Sequence, residues 1–261
     1  MCLAVIALDA HARYSMVLAA NRDEYHARAA APVSWWDDAA PILAGRDRAA
    51  GGTWLGVNRR GRYAFVTNVR EPGRHDPAAP TRGTLVPRVL RDDARVIEAV
   101  RHAVRDGASM NGFNLLAGEG SDVTWASNRY DGMRLLPAGV HGVSNASLDT
   151  PWPKLVRTKD ALRRWCADDR DDVESLFALL RDDAPASDDA LPATGVTLEW
   201  ERLLSAPFIR APHYGTRCST VLLIERDGQV RMIERSFDAA GALAGVVDER
   251  FAVERSTASV R

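Results

Sequence analysis

A cysteine directly follows the initiator methionine, and a polar cluster lies about twenty residues further along the chain. Cys2 is the second residue, and Asn21, Arg22, Asp23 and Glu24 follow an apolar segment. Initiator methionine is normally removed when the second residue is small, which would leave Cys2 with both a thiol and a free α-amine. An α-amino group, with a pKa of about 7.7 to 8.0, can take the proton of a thiol with a pKa of about 8.5. The pattern therefore predicts a cysteine nucleophile that uses its own amine as the base.

The two segments that must position these groups are short and apolar. Cys2 to Leu8 and Tyr14 to Ala20 are separated by a polar break near His11, which predicts an antiparallel hairpin. Directly opposed residues in such a ladder have Cα atoms about 4.5 to 5.5 Å apart. Cys2 should therefore lie beside the polar cluster, with Asp23 placed to orient the terminal ammonium. The alternative is that Cys2 is a buried apolar residue at an incidental position, as free cysteines often are.

The composition is that of an ordinary globular protein. The 261 residues are 46% hydrophobic and 26% charged, and no linker or low-complexity tract interrupts them, which favours one domain spanning residues 1–261. The formal net charge is -1, from 34 Lys+Arg and 35 Asp+Glu, and the charges are interspersed. This balance of charges does not predict a basic surface that would bind nucleic acid or an anionic membrane.

The cysteine and histidine patterns predict neither a disulfide framework nor a bound metal. Cys2, Cys166 and Cys218 are an odd number without metal-type spacing, and the histidines lack HxH or HExxH spacing. No cofactor is therefore expected. No run approaches 18 consecutive apolar residues and the N-terminus lacks the basic region of a signal peptide, so we expect no membrane span and a cytoplasmic location.

The remaining chain predicts strands, then helices, then strands. Besides the opening hairpin, we expect strands over residues 52–58, 62–69, 111–118, 123–129, 133–136, 218–225 and 229–235, and helices over 84–105, 154–166 and 172–181. Pro153 fits the first position of the second helix. Residues 25–41 and 71–82 are expected to be irregular, and residues 182–197 a surface loop or a mobile lid. Without βαβ alternation, this order indicates an α+β or layered-sheet protein.

Several stretches in order resemble the NRDE family, the group that includes the transport and Golgi organisation protein 2 of animals. They are Cys2, Asn21-Arg22-Asp23-Glu24, Gly51-Gly52-Thr53-Trp54-Leu55-Gly56, Phe113-Asn114-Leu115-Leu116, Ser144-Asn145, Asp149-Thr150-Pro151-Trp152-Pro153-Lys154 and Tyr214-Gly215-Thr216-Arg217. That family is in turn similar to the N-terminal nucleophile hydrolases, in the branch of penicillin V acylase and bile-salt hydrolase. The resemblance implies a four-layer αββα sandwich of two antiparallel sheets between helices.

The resemblance also implies a role for each of five residues. Cys2 matches the nucleophile and Asp23 the aspartate near the terminal amine. Asn68 and Asn145 match asparagines that help to bind the tetrahedral oxyanion, where each preorganised donor is worth about 2.7 to 4 kcal/mol. Arg217 matches an arginine that favours the thiolate. Asn68 and Asn145 could instead be turn residues, and Arg217 could pair with an acidic neighbour.

Substrate contacts are less directly implied. The hydrolase branch tends to have an arginine three residues before its aspartate, where this chain has Ala20. Arg22 shares the face of Ala20 only if the strand continues without a bulge, and a strand-end salt bridge with Glu24 is the alternative. Four tryptophans are candidates to line a hydrophobic pocket, with packing in the core as the alternative: Trp35, Trp36, Trp54 and Trp152. His213, close to Arg217, is the histidine expected nearest the site.

Two functions follow as hypotheses. The first is a hydrolase that acts on an amide C–N bond, or on a thioester, through a Cys2 acyl-enzyme. The second is a non-catalytic carrier or chaperone for a hydrophobic ligand such as haem, a lipid or an acyl-CoA, in the same cleft. In both cases the partner is a small molecule.

Overall fold

The computed structural model describes residues 3–38 and 41–254. Within them, the strands are β1 (Leu3–Leu8), β2 (Tyr14–Tyr25), β3 (Ala30–Trp35), β4 (Ile42–Asp47), β5 (Leu55–Asn58), β6 (Arg62–Asn68), β7 (Phe113–Glu119), β8 (Asp122–Ser127), β9 (Arg134–Leu135), β10 (Gly139–Val143), β11 (Tyr214–Glu225), β12 (Gln229–Phe237) and β13 (Leu243–Ala252). The helices are α1 (Leu85–Arg91), α2 (Val96–Asp106), α3 (Pro153–Ala167), α4 (Val173–Leu180) and α5 (Leu198–Leu204).

The strands form two antiparallel sheets that stack face to face. One sheet has the order β10-β1-β2-β11-β12-β13, and the other has the order β3-β4-β5-β6-β7-β8-β9. A large core lies between them, to which β1 contributes Ala4, Ile6 and Leu8. The alternate residues of β1, Leu3 and Val5, face the helices on the other side of the sheet. Because both faces of β1 are buried, its sequence is continuously apolar, as the period-two geometry of a strand requires.

Helices cover the outer face of each sheet. The helices α1 and α2 pack on the seven-stranded sheet through residues such as Val89 and Val100. The helices α3 and α4 pack on the six-stranded sheet through Leu155, Leu162 and Leu176. The predicted αββα sandwich is therefore confirmed, as are the start of α3 at Pro153 and the opening hairpin.

Residues 84–105 form two helices, whereas the spacing of their apolar residues predicted one. The backbone of Asp92 is extended, with ψ of 129°. The Asp92 carboxylate accepts a hydrogen bond from the amide of Ala94 at 2.8 Å, a local bond that competes with helix continuation. Arg62 donates to the carbonyl oxygens of Asp92 and Ala94, at 2.5 Å and 2.8 Å. These contacts hold a turn between α1 and α2.

The expectation that residues 25–41 are irregular was also wrong, because they include the edge strand β3. Its pairing with β4 shifts in register between Ala31 and Ser34, and Pro32 is tolerated there because an edge strand leaves some amides unpaired. The sequence patterns also missed β4, β10, α5 and β13. Among the described residues, no helix is long and apolar enough to cross a membrane.

Candidate active site

The opening hairpin has the register expected from its sequence. Leu3 pairs with Asn21 at the start of β1. The strand β2 continues to Tyr25, so the whole polar cluster lies within it, paired on its other edge with β11. Cys2 lies outside the described residues, and its place beside the cluster stays a prediction.

The Asp23 side chain is buried, at 3% exposure, and is held in one orientation. The Thr216 hydroxyl donates a hydrogen bond to Asp23 Oδ1 over 2.7 Å. The same hydroxyl oxygen accepts a hydrogen bond from the amide of Ile209 over 2.9 Å. Asp23 and Thr216 are direct partners across β2 and β11, so the sheet itself sets the distance between them.

Asn21 has a structural role. Its Nδ2 donates to the carbonyl oxygens of Leu180 and Pro207, each at 2.8 Å. Its Oδ1 accepts from the Ser219 hydroxyl at 2.6 Å. The buried amide thus ties β2 to β11, to the end of α4 and to the segment before β11. Asp23 and Glu24 of the same cluster line a cleft.

The cleft beside Asp23 has a volume of about 490 Å³. Its lining includes Asp23, Asn68, Arg70, Glu71, Arg82 and Tyr214. Arg70 is held in place by Glu201 of α5 at 2.9 Å and lies 4.7 Å from the centroid of the Trp152 ring. Glu71 is held by Arg129 at 2.8 Å. Arg70 and Glu71 of the cleft are therefore each held by an ion pair with a residue outside its lining.

The two asparagines with predicted oxyanion roles are in contact. Asn145 is buried and its Nδ2 donates to the carbonyl oxygen of Asn68 over 2.9 Å. The carbonyl oxygen of Asn145 accepts from the amide of Arg70 at 2.8 Å. Asn68 lines the cleft directly, and Asn145 fixes the backbone that carries it.

Arg22 lies on the same face as Ala20. Ala20 faces the core between the sheets, in which Trp54 also packs, and the bulge in this region falls on β11, where Arg217 is the extra residue between Thr216 and Cys218. Arg22 is 4% exposed, and its guanidinium stacks on Trp54, 4.4 Å from the ring centroid. The strand-end salt bridge with Glu24 is not observed; Glu24 lies 3.8 Å from Arg28.

Arg217 lines a different cavity. Its Nη1 donates to the carbonyl oxygens of Tyr25 and His26, at 3.3 Å and 2.9 Å, so it binds backbone and not an acidic neighbour. It lines a second cavity of about 510 Å³ together with Arg22, Trp54, Cys218 and Glu234. We call this the β12–β13 cavity, because most of its remaining lining belongs to those strands.

The predicted site residues therefore divide into groups. Asp23 and Asn68 share the cleft, with Asn145 behind Asn68 and Trp152 stacked on Arg70. Arg22, Trp54 and Arg217 share the β12–β13 cavity. His213 is exposed in the segment before β11 and does not line the cleft or that cavity.

Sequence reasoning missed three residues that shape the cleft. Thr216 lies in a stretch that the resemblance singled out, but only the pairing of β11 with β2 shows its contact with Asp23. Arg70 lies between the predicted strand over residues 62–69 and the predicted irregular segment over 71–82, and no role was assigned to it. Glu201 belongs to α5, which was not predicted. The helix that carries Glu201 could have been predicted from Thr197, a residue type that favours the N-terminal cap of a helix. Its hydroxyl accepts a hydrogen bond from the amide of Trp200 and caps α5.

The two described cysteines are buried thiols, as expected. Burial raises the pKa of Cys166 to about 11. Burial, with the nearby Glu234, raises the pKa of Cys218 well above its ordinary value. Both groups are therefore poor nucleophiles near neutral pH. Within the described ranges, no group of three or more His, Cys, Asp or Glu side chains is arranged to hold a metal ion.

A family model described as Transport and Golgi organisation 2 matches residues 1–239. The chain belongs to this family. Members from two mammals are similar over most of their length. The Transport and Golgi organization protein 2 homolog of Bos taurus is 37% identical over 244 residues, covering 85% of this chain and 87% of the relative. The Homo sapiens homolog is 35% identical over 240 residues, with the same two coverages.

Among solved structures, a variant of the conjugated bile acid hydrolase from Clostridium perfringens matches with a TM-score of 0.50 and 8% identity, covering 98% of this chain and 97% of that one. An N-acylethanolamine-hydrolyzing acid amidase ortholog from Caenorhabditis elegans matches with a TM-score of 0.49 and 12% identity, over 85% of this chain and 92% of the other. The two stacked antiparallel sheets and the match to the bile acid hydrolase show that this family member has the fold of the N-terminal nucleophile hydrolases.

Proposed function

We propose that the protein is a cysteine N-terminal nucleophile hydrolase that cleaves an acyl amide, or a thioester, through a Cys2 acyl-enzyme after removal of Met1. The observation that carries the proposal is the buried Asp23 carboxylate, which opens to a cleft at the end of the opening hairpin. Cys2 is joined by one peptide bond to Leu3, whose partner across that hairpin is Asn21. The fold is compatible with this class of hydrolase.

In the proposed reaction, the α-amine of Cys2 accepts the proton of its thiol, and the thiolate sulfur attacks the acyl carbon. Asp23 holds the resulting ammonium, and Thr216 holds Asp23. Collapse of the tetrahedral intermediate breaks the C–N or C–S bond, and the ammonium returns the proton to the leaving group. Water, deprotonated by the same amine, then attacks the thioester and releases a carboxylic acid and the free thiol.

The amides of Asn68 and Asn145 are proposed to stabilise the oxyanion of that intermediate. The position of Asn68 in the cleft supports this role directly. Asn145 Nδ2 donates one hydrogen to the carbonyl oxygen of Asn68. Because a side-chain amide nitrogen carries two hydrogens, the second can be donated to the oxyanion. Arg217, on the strand that pairs with β2, is proposed to favour the thiolate through its positive charge.

The test is turnover of a panel of N-acyl amides and acyl thioesters by wild type, Cys2→Ala and Asp23→Asn. We expect Cys2→Ala to abolish turnover and Asp23→Asn to lower kcat by about 100-fold or more, since loss of a triad's orienting carboxylate costs up to about 10⁴. Asp131→Asn, at an exposed turn, is the matched control. Full activity of Cys2→Ala on a substrate turned over by wild type would overturn the proposal.

The second candidate is a carrier for a hydrophobic ligand such as haem or an acyl-CoA, and the observation that favours it is the β12–β13 cavity, with its volume of about 510 Å³. Cavities of about 300 to 1,000 Å³ are typical of small-molecule sites. Haem titrated into wild type and Cys2→Ala would give the same saturable Soret shift if the protein is a carrier. No shift in either protein removes haem as the cargo.

Two properties of the whole chain are also proposed. One is a single domain over residues 1–261, supported by the core that both sheets share. The other is a cytoplasmic location, supported by the free thiols of Cys166 and Cys218, which fit a reducing compartment.

A further inference from the structure

The connection between α4 and β11, where the sequence predicted a surface loop or a mobile lid, forms one side of the cleft of Asp23. Residues 187–204 of this connection are all described, and α5 is their longest regular element. The amide of Ala186 donates a hydrogen bond to the Ser205 hydroxyl over 2.9 Å, so the two ends of the segment lie together. Val196, between them, lines the cleft. We call residues 187–204 the cleft flap.

The helix α5 is attached to the rest of the molecule through a charged side chain. A surface helix is normally held by a stripe of apolar side chains that faces the core. Of the seven described residues of α5, Glu201 is the one that is buried, at 5% exposure. Leu198 and Trp200 are exposed, and Leu203 and Leu204 are half-buried. The helix therefore has little fully buried apolar surface to hold it in place.

The Glu201 carboxylate forms hydrogen bonds in two directions. Its Oε1 accepts from the amide and the hydroxyl of Thr194, at 2.8 Å and 2.6 Å, which are bonds within the flap. Its Oε2 accepts from Nη1 of Arg70 at 2.9 Å, and Arg70 lines the cleft. The side chains of Arg70 and Glu201 are 10% and 6% exposed. One buried carboxylate thus shapes the flap and joins it to the cleft wall.

Two further contacts between the flap and the cleft wall involve exposed residues. Gly195 lies against Pro72, and both are exposed. The ring of Trp200 meets that of Tyr214 edge to face, with 5.7 Å between their centroids. Segments with few buried apolar contacts are those that open locally while the remaining fold stays intact.

A buried ion pair is a suitable latch for such a segment. Burial removes water from both charges, and this cost offsets much of their attraction. When the two charges separate into solvent, each regains its hydration. We infer that the cleft flap opens and closes over the cleft of Asp23, with the ion pair between Arg70 and Glu201 as its latch.

The inference concerns regulation of the proposed active site. It rests on the proposed function only for the consequence of the motion, which is control over entry of the substrate and release of the product. Opening of such a lid limits the turnover rate of many enzymes. The motion itself follows from the contacts of Glu201 and does not depend on the chemistry.

The test is hydrogen–deuterium exchange, followed by mass spectrometry, on the full-length wild type and Glu201→Gln. Glutamine keeps an oxygen for Thr194 but has no charge for Arg70, so the closed state would contain an unpaired buried cation. We expect the amides of the flap to exchange about tenfold or more faster in Glu201→Gln, a shift of about 1.4 kcal/mol in the opening equilibrium. Exchange of the core strand β7 should be unchanged.

Asp188→Asn is the matched control, because it removes an ion pair within the same flap. Asp188 pairs with Arg202 at 2.8 Å, and both side chains are exposed. An exposed pair contributes little to stability, so this variant should exchange like wild type. Unchanged flap exchange in Glu201→Gln would overturn the inference. Equal acceleration in β7 would also overturn it, because Glu201 would then stabilise the whole fold.

A reversible cross-link tests whether the motion controls the site. A Cβ placed on Gly195 would lie 3.8 Å from the Cβ of Pro72, within the range of about 3.5 to 4.5 Å found in disulfides. In Pro72→Cys/Gly195→Cys, oxidation should lower kcat/KM about tenfold or more for a substrate of wild type, and reduction should restore it. The reduced form is the control, since it has the same strain at the positive φ of residue 195. Turnover unaffected by oxidation would contradict control by the flap.

These measurements keep the two proposals apart. Faster exchange confined to the flap in Glu201→Gln, without turnover of any acyl substrate by wild type, would contradict the hydrolase and support the flap. Turnover that depends on Cys2, with no faster exchange in Glu201→Gln, would contradict the flap and leave the hydrolase supported.

Discussion

Thr216 links a backbone amide to the proposed catalytic carboxylate. Its hydroxyl accepts from the amide of Ile209 and donates to Asp23, so its oxygen has one defined orientation and its proton one acceptor. Asp23 itself was accessible to sequence reasoning, because counting residues across a hairpin sets its register. Thr216 was not, since it lies nearly two hundred residues away and its contact depends on the pairing of β11 with β2.

We predict that Thr216→Val lowers kcat by about 100-fold, a typical cost of misplacing a catalytic group by about 1 Å. The free energy of unfolding should also fall by about 1.5 to 3 kcal/mol, because a hydrogen bond to a charged group is lost. Thr216→Ser keeps the hydroxyl and should restore both properties to within a few-fold. Steady-state kinetics measures kcat, and urea unfolding measures the free energy of unfolding. If the serine variant is as impaired as the valine variant, Thr216 does not act through its hydroxyl.

The isolation of Arg22 marks a limit of sequence reasoning at the residue scale. Alternation along β2 places it on the face of Ala20, and its stacking on Trp54, which packs in the same core as Ala20, confirms this. Its burial, its stacking on Trp54 and the absence of an ion-pair partner among the described residues depend on the other sheet. The pattern of residues within one strand cannot show which side chains of the other sheet will contact it.

At the scale of elements, Asp149 joins β10 to α3. Its carboxylate interacts with His141 Nδ1 at 2.9 Å, accepts from the amide of Gly142 at 2.9 Å, and pairs with Lys159. Burial opposes the charge on Asp149, but the bonds with His141 and Lys159 outweigh it and lower its pKa. The bond with Asp149 in turn raises the pKa of His141.

This pair predicts a pH dependence of stability. Since folding raises the pKa of His141, its contribution is fully present below the ordinary pKa of about 6.5 and is lost as pH rises through the folded-state pKa. Urea unfolding of wild type and His141→Gln should therefore show a difference in the free energy of unfolding that shrinks with rising pH. His213→Gln, at an exposed position, is the control and should follow wild type. A difference that widens towards alkaline pH would contradict the assignment.

Elements with a strong periodic pattern were predictable, and those stabilised by their neighbours were not. The opening hairpin has an apolar run of its own, and α3 has a proline at its first position. The strand β13 is instead exposed at most of its positions and is stabilised by its pairing with β12. The strand β10 is short and half-exposed and depends on β1 in the same way.

At the scale of the molecule, the central core is shared between the sheets. Ile6, Leu18 and Leu222 of one sheet pack in the same cluster as Phe65 and Trp125 of the other. Neither sheet can therefore lose its partner without exposing apolar surface. The αββα architecture came from the resemblance to a family, because the patterns alone indicated only an α+β protein.

We predict that the described sandwich unfolds in one cooperative transition. Calorimetry should give equal calorimetric and van't Hoff enthalpies, the criterion for two-state unfolding. Tryptophan fluorescence should report the same midpoint as far-UV circular dichroism, because Trp125 lies in the shared core. Two resolved transitions would show that the sheets fold independently, against a single domain.

The central claim is that the mature chain begins with a reactive cysteine. Peptide mass spectrometry of the folded protein, after a short pulse of iodoacetamide near neutral pH, tests it most directly. We predict that Met1 is absent and that Cys2 is alkylated well before Cys166 and Cys218, whose thiols are buried with raised pKa values. Retention of Met1 on the folded protein, or alkylation of Cys2 no faster than that of the two buried thiols, would contradict the claim.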